Sequence, residues 1–317
     1  DGSRKNRRRD LRRCTNDPLA PMKTFSTHLI LCCSLIFIGW LALSVNEVRG
    51  QSLLDELGAS ELAVHPVYAT FKDTRIINVQ SNETPGQNVM HFVIAHRFGQ
   101  INEGAYALWG LDNASMRMAL DYGLTDRLCL GIARSTFQKT FESSLKWKAL
   151  QQKSDDSVPL GITFYAVSMA RGDSTYAESA DNRTFTNRLS YTYQAIISRK
   201  WSEKFSTAIV PSFTHRNLVE FIDNAHDQWT LGAGGRYKLA QRVSLNCEYH
   251  FLLKGLKESA QNSLSLGVDI ETGGHVFQLH ITNSRGMFER AFLTETTGRW
   301  RDGALFFGFN LSRVFDF

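Results

Sequence analysis

Residues 303–317, GALFFGFNLSRVFDF, constrain the fold more than any other stretch of the chain. Every second position gives Leu305, Phe307, Phe309, Leu311, Arg313, Phe315 and Phe317. The positions between are mostly small or polar, with Phe306 and Val314 as exceptions. A period of two means that successive side chains point to opposite faces, as they do in a β-strand. Strands of soluble sheets usually run to about five or six residues. A strand crossing a bilayer at a tilt of about 45° needs roughly 9–11. Arg313 is the one charge on the apolar face, and near a strand end a long basic side chain can reach back to the interface.

The alternation recurs from residue 88 onward. Strands are expected over residues 88–98, 112–122, 127–135, 140–151, 159–169, 186–198, 205–216, 228–238, 242–252, 262–270, 275–283 and 303–317. That makes about twelve, and an even number is usual for single-chain bacterial barrels. Connections 123–126, 199–204, 239–241 and 271–274 are short and share one end, while 171–185, 217–227, 253–261 and 284–302 are long and share the other. Connections 152–158 and 136–139 fit this division less well, the first long for its end and the second short. Tyr122, Trp201, Tyr237, Phe315 and Phe317 fall near the short-turn rim, as an aromatic belt would. The pattern predicts an all-β fold, an antiparallel transmembrane β-barrel with short periplasmic turns and long extracellular loops. In lipid the sheet must close, because an open edge would leave backbone groups unpaired. A soluble sandwich or solenoid is the competing architecture.

The N-terminal part reads as processing sequence. Residues 1–21 are basic and poor in apolar side chains, and are expected to be an upstream, non-native extension. Met22, Lys23 and the apolar run at 29–43 then form a signal peptide over 22–50, with cleavage expected near Gly50. About 15 apolar residues fall short of the roughly 20 that a spanning helix needs. The net charge of +5 comes from these segments, +4 from residues 1–21 and +1 from residues 22–50, so the remainder is neutral. The basic balance is therefore no sign of a nucleic-acid partner. Cys129 and Cys247 remain after processing and are expected to be free, buried thiols on strands far apart in sequence. Residues 51–87 hold no stretch of spanning length and are expected to form a periplasmic or plug segment ahead of a barrel over 88–317.

FKDTRIIN (71–78), HRFGQINEG (96–104), LWGLDNA (108–114), YGLTDRL (122–128), GGHVFQLHITNSRGM (273–287) and FGFNLSRVF (307–315) together resemble a β-barrel family of unknown function from Bacteroidota outer membranes. The C-terminal strand also resembles the closing strand of Gram-negative outer-membrane barrels, whose alternating hydrophobes and final aromatic form an assembly signal. Here that signal would be Phe307, Phe309, Leu311, Phe315 and Phe317. The resemblance implies a place in the cell outer membrane, with membrane lipid and the barrel assembly machinery as partners. It implies no activity.

By strand parity the inward faces carry Arg97, Arg117, Lys146, Lys148, Arg188, Arg216 and Arg236, opposed by Asp121, Glu248, Asp269 and Asp316. Fixed cations along a lumen favour anions, so a narrow passive channel for small polar or anionic solutes is the expected function. The competing account is that these charges pair and fill a narrow barrel. His280 and Ser284 are the candidates for an alternative, an outer-membrane hydrolase, since a nucleophile needs a base within hydrogen-bond reach. Four residues along a strand separate them by roughly 13 Å, so a direct pair would require a bend. A structural or surface-binding barrel using the long loops is the third reading. His215, His226 and His250 lack metal-ligand spacing and the cysteines form no CxxC, so no metal or cofactor is expected. GAGG at 232–235 lies inside a strand and lacks the following Lys of a phosphate loop, so it marks close packing or a bulge.

Overall fold

The computed structural model describes residues 64–173, 184–219, 225–254 and 260–317. The extension 1–21, the signal peptide 22–50, its cleavage near Gly50 and the first part of the 51–87 segment lie outside the described residues. Twelve strands follow one another: β1 (Val89–Gln100), β2 (Ala114–Thr125), β3 (Leu128–Ser135), β4 (Phe141–Leu150), β5 (Gly161–Ala170), β6 (Leu189–Lys200), β7 (Phe205–Arg216), β8 (Asp227–Ala240), β9 (Val243–Lys254), β10 (Ser263–Thr272), β11 (His275–Thr282) and β12 (Phe306–Asp316). Each pairs antiparallel with its neighbours in sequence, and β1 pairs with β12 to close the barrel. In that closing seam Met90 faces Phe315 and Ile94 faces Leu311. The expected all-β antiparallel barrel of about twelve strands is the observed fold.

The two faces of the wall are the reverse of a soluble protein's. Leu120, Ile132, Phe164, Ile209, Leu231, Leu245 and Leu266 point outward and are exposed. Ser190, Thr192, Gln194, Ser212 and Thr214 point inward and are buried. The inward groups satisfy one another across strands, as in the 3.0 Å contact between the Thr192 and Thr214 hydroxyls and the 3.0 Å bond from Gln194 Nε2 to Ser212 Oγ. An apolar band of this extent would be an aggregation surface in water; in hydrocarbon it is the favourable face. Exposed aromatics rim both ends, with Tyr122, Trp201 and Tyr237 at the short-turn end and Phe141, Trp229 and Phe251 at the long-loop end.

Two segments enter the barrel from opposite ends. From the short-turn end, residues 66–87 thread inward, and Phe71, Ile76, Ile77, Asn78 and Val79 are buried. From the long-loop end the β11–β12 connection folds back and carries a short helix, α1 (Glu289–Thr294), every residue of which is buried. The segments meet where Arg75 Nη2 donates to Glu289 Oε1 at 2.8 Å. Around that junction Phe71, Ile76, Val79, Phe288 and Phe292 join an apolar cluster with Tyr165, Val167, Met169, Ile196 and Val210 from the wall.

The unusually long β4–β5 connection now has a structural reason. Val67 N–H donates to Gln152 O at 2.7 Å, and Pro66 bridges to Lys153. The connection is long because it docks the entering segment at the barrel mouth.

Candidate functional site

Residues 69–83 lack regular secondary structure, so their backbone groups need partners from the wall. Glu248 on β9 supplies the main one. Its carboxylate accepts the N–H groups of Ile77 at 3.2 Å, Asn78 at 3.0 Å and Val79 at 3.1 Å, and the Asn78 side-chain amide at 2.7 Å. Carbonyls of the same segment accept from β11 and β12: Gln278 Nε2 donates to Ile76 O at 2.6 Å and Asn310 Nδ2 to Ile77 O at 3.1 Å. Lys146 Nζ donates to Thr74 O at 2.9 Å and Glu83 O at 2.8 Å, and Arg236 Nη1 donates to Ala69 O at 3.1 Å. Lys72 pairs with Glu271 near the mouth.

Glycine on the wall makes room for the segment. An added Cβ on Gly234 would stand 2.5 Å from Ile76 Cδ1, and one on Gly267 would stand 3.2 Å from Ile77 Cδ1. The glycine cluster at 232–235 therefore marks close packing.

Asp73 ties the segment to the closing seam. Its Oδ1 lies 3.0 Å from His91 Nε2, with Asp121 Oδ2 3.9 Å from the other ring nitrogen. Burial by itself would raise the Asp73 carboxyl, but His91 and hydrogen bonds from Ser312 and Thr74 outweigh it and hold the group at about 2.

The inward cations each have partners. Arg97 donates to Ser284 O at 2.7 Å, to Asn78 Oδ1 at 2.8 Å and to His280 Nε2 at 2.9 Å. Arg117 makes a bidentate pair with Glu142, at 2.9 and 2.7 Å. Lys148 Nζ is 3.9 Å from Glu83. Arg216 reaches α1 and the residue after it, bonding Thr294 and lying 3.3 Å from Glu295 Oε1. Arg188 is not a wall residue: it belongs to a turn ahead of β6, which starts at Leu189. Asp316 has the inward parity of Asn310 and Ser312 but lies at the end of β12, where it is exposed. Glu142 was absent from the sequence-derived set, although its parity matches that of Lys146 and would have found it.

His280 and Ser284 do not form a pair. The Ser284 hydroxyl donates to Gly286 O at 3.4 Å, and His280 Nε2 accepts from Arg97, which occupies the nitrogen a base would use. His280 Nδ1 is buried without a partner. Of the two thiols, Cys129 is buried but Cys247 is exposed, against expectation. Cys247 shares the outward parity of Leu245 and Tyr249, so its thiol faces the apolar exterior. Phe307, Phe309 and Leu311 also point outward, stacking with neighbours such as Phe277, whose ring centroid is 5.8 Å from that of Phe309. Phe317 is exposed. Among the described residues no group of three or more His, Cys, Asp or Glu is placed to hold a metal.

Beyond α1, at the long-loop end, a vestibule of about 450 Å³ opens. Gln100, Asn113, Arg216, Gln228 and Glu295 line it together with Phe137 and Arg285. Beside the entering segment lies a cavity of about 20 Å³, bordered by Asp73, Asn78, Arg117, Gln278 and Asn310. The polar interior is thus interrupted at the level of residues 73–79.

An apolar exterior, a polar wall and an interior closed by two inserted segments define a plugged membrane β-barrel. The chain belongs to the family described as membrane bound beta barrel domain (DUF5777), whose model matches residues 71–315. That match begins at Phe71, so it includes the inserted segment with the wall. No curated protein shows detectable similarity. Among solved structures, the NanC porin overlaps 71% of this chain and 98% of its own at 6% identity, TM-score 0.45. The KdgM porin overlaps 72% and 99% at 7% identity, TM-score 0.42. An outer-membrane channel of Pseudomonas putida F1 overlaps 73% and 97% at 12% identity, TM-score 0.44.

Proposed function

We propose that the protein is a narrow passive channel of the outer membrane for small polar or anionic solutes, throttled by residues 69–83. The observation that carries this reading is how the segment is held. Its backbone rests on polar wall groups, Glu248, Gln278, Asn310, Lys146 and Arg236, all of which water or a polar solute could engage in its place. A polar vestibule lies on one side of the constriction. The segment is anchored at its outer end to the β4–β5 connection, so it can shift without leaving the barrel. The assembly residues of β12 support the outer-membrane location, and residues 22–50 supply the route to it.

Liposome swelling tests the channel. Purified protein should admit small polar solutes, and faster in the Glu248→Gln variant. Vesicles that stay impermeable with both proteins would remove the channel.

A second reading, a structural or surface-binding barrel, has one observation in its favour. The apolar cluster of Ile76, Val79, Phe288 and Phe292 against the wall is built like a protein core and resists wetting.

A further inference from the structure

The vestibule at the long-loop end holds a cation, Arg285, that none of the described carboxylates neutralises. Arg285 is exposed, lines the cavity and has no carboxylate partner among the described residues. It is nonetheless positioned, since its guanidinium lies 5.5 Å over the ring of Phe137. Phe137 in turn packs at 6.1 Å on Phe288, which is fully buried. A guanidinium over an aromatic face keeps its edge donors free for a second group.

Of the two acids that line the vestibule, Glu295 is already committed. Glu295 lies 3.0 Å from Arg290 and 3.3 Å from Arg216, and accepts from Gln138 Nε2 at 3.2 Å. Two arginines thus share one carboxylate, and the Nε atoms of both are buried without partners. The β3–β4 turn that presents Phe137 and Gln138 is strained: Gln138 and Lys139 both take left-handed backbone, φ 54° and 48°, without being glycine. Such strain persists where the surroundings demand a particular geometry, often at ligand sites.

We infer that this vestibule binds a hydroxylated carboxylate of sugar size, a sugar acid, with the carboxylate on Arg285. The volume lies within the range of small-molecule sites. A bare anion would be repelled by Glu103, which also lines the cavity, whereas hydroxyl groups donate to it. Gln100 and Asn113 can serve further hydroxyls as donors or acceptors. The inference deepens the channel reading by naming the solute class that collects at the entrance.

Calorimetric titration of the full-length protein in detergent tests it, using sodium gluconate, glucose and acetate as probes. Gluconate should bind once per chain and more tightly than either of the others. Arg285→Ala should weaken gluconate by about tenfold or more, and Arg285→Lys by less. Arg301→Ala, an exposed arginine next to Asp302, should leave binding unchanged. Asn113→Ala, at an exposed lining residue, should weaken gluconate but not acetate. No gluconate binding at millimolar concentration, equal affinity for glucose, or unchanged affinity in Arg285→Ala would each overturn the inference. Equal affinity for acetate would do the same. Binding is read without passage, so a barrel that binds gluconate but never conducts would sink the channel and leave this site standing.

Discussion

Glu248 holds Asn78 twice, through the backbone N–H at 3.0 Å and through the side-chain amide at 2.7 Å, while also receiving the N–H groups of the residues on either side. One wall carboxylate therefore fixes three consecutive residues of the segment that closes the barrel. Replacing it with an amide removes the charge from several hydrogen bonds, each worth about 1.5–3 kcal/mol when one partner is ionised. Glu248→Gln should leave the barrel folded but loosen the segment. Trypsin cleavage at Lys72 and Arg75 in the native protein is expected to rise by roughly tenfold or more. Unchanged cleavage would show that Glu248 does not hold the segment.

Arg117 is expected to act as a structural residue and not as a selectivity filter. It and Glu142 are buried against each other with bidentate geometry. Removing one partner strands a buried charge, at a cost of about 3–5 kcal/mol. Arg117→Met should lower the urea midpoint, read from heat-modifiable mobility on gels, and Arg117→Met with Glu142→Gln should recover most of the loss. A double variant no more stable than the single one would contradict the pairing.

Acid should release the segment through Asp73. Its folded-state value, about 2, lies below the usual carboxylate value of about 3.9. A depressed value means that its stabilisation is fully present above the ordinary value and is lost as pH falls through the folded one. The shift corresponds to roughly 2–3 kcal/mol. Pepsin digestion should therefore attack the segment around Phe71 progressively between about pH 4 and pH 2. Asp73→Asn should flatten that dependence; a dependence identical to the wild type would assign it to another group.

Gly234 sets how close the segment can come to β8. A Cβ there collides with the end of Ile76, whose Cδ1 can swing aside at modest cost, whereas a branched side chain leaves it no room. Gly234→Ala should be tolerated, and Gly234→Val should expose the segment to trypsin much as Glu248→Gln does. Equal protection in both variants would show that Ile76 does not seat against this strand.

The barrel was legible because lipid imposes a strict rule on the wall. Residues such as Leu245, Cys247 and Tyr249 must alternate with Ser244, Asn246 and Glu248, and that period is visible without any knowledge of contacts. The interior was not legible for the complementary reason. The stretch from Ala69 to Val79 has no period, since its partners come from β4, β8, β9, β11 and β12. The inward turn of Glu289–Thr294 was hidden inside what reads as a long outer loop. Parity placed Arg97 on the lumen side and left an open channel and a lumen filled by paired charges as rival accounts, because the partners of the cations lie on other strands and on the inserted segment. The long connection after β4 was the one visible clue, an exception to the short-turn pattern at the place where the segment enters.

If residues 69–83 close an otherwise polar passage, planar-bilayer recording will register their removal. Full-length protein should show small, infrequent openings. A variant lacking residues 69–83, with the barrel strands intact by heat-modifiable mobility, should give a larger and steady conductance with a preference for anions over cations. Equal silence in both proteins, with the truncated barrel correctly folded, would show that residues 69–83 are not what closes the barrel.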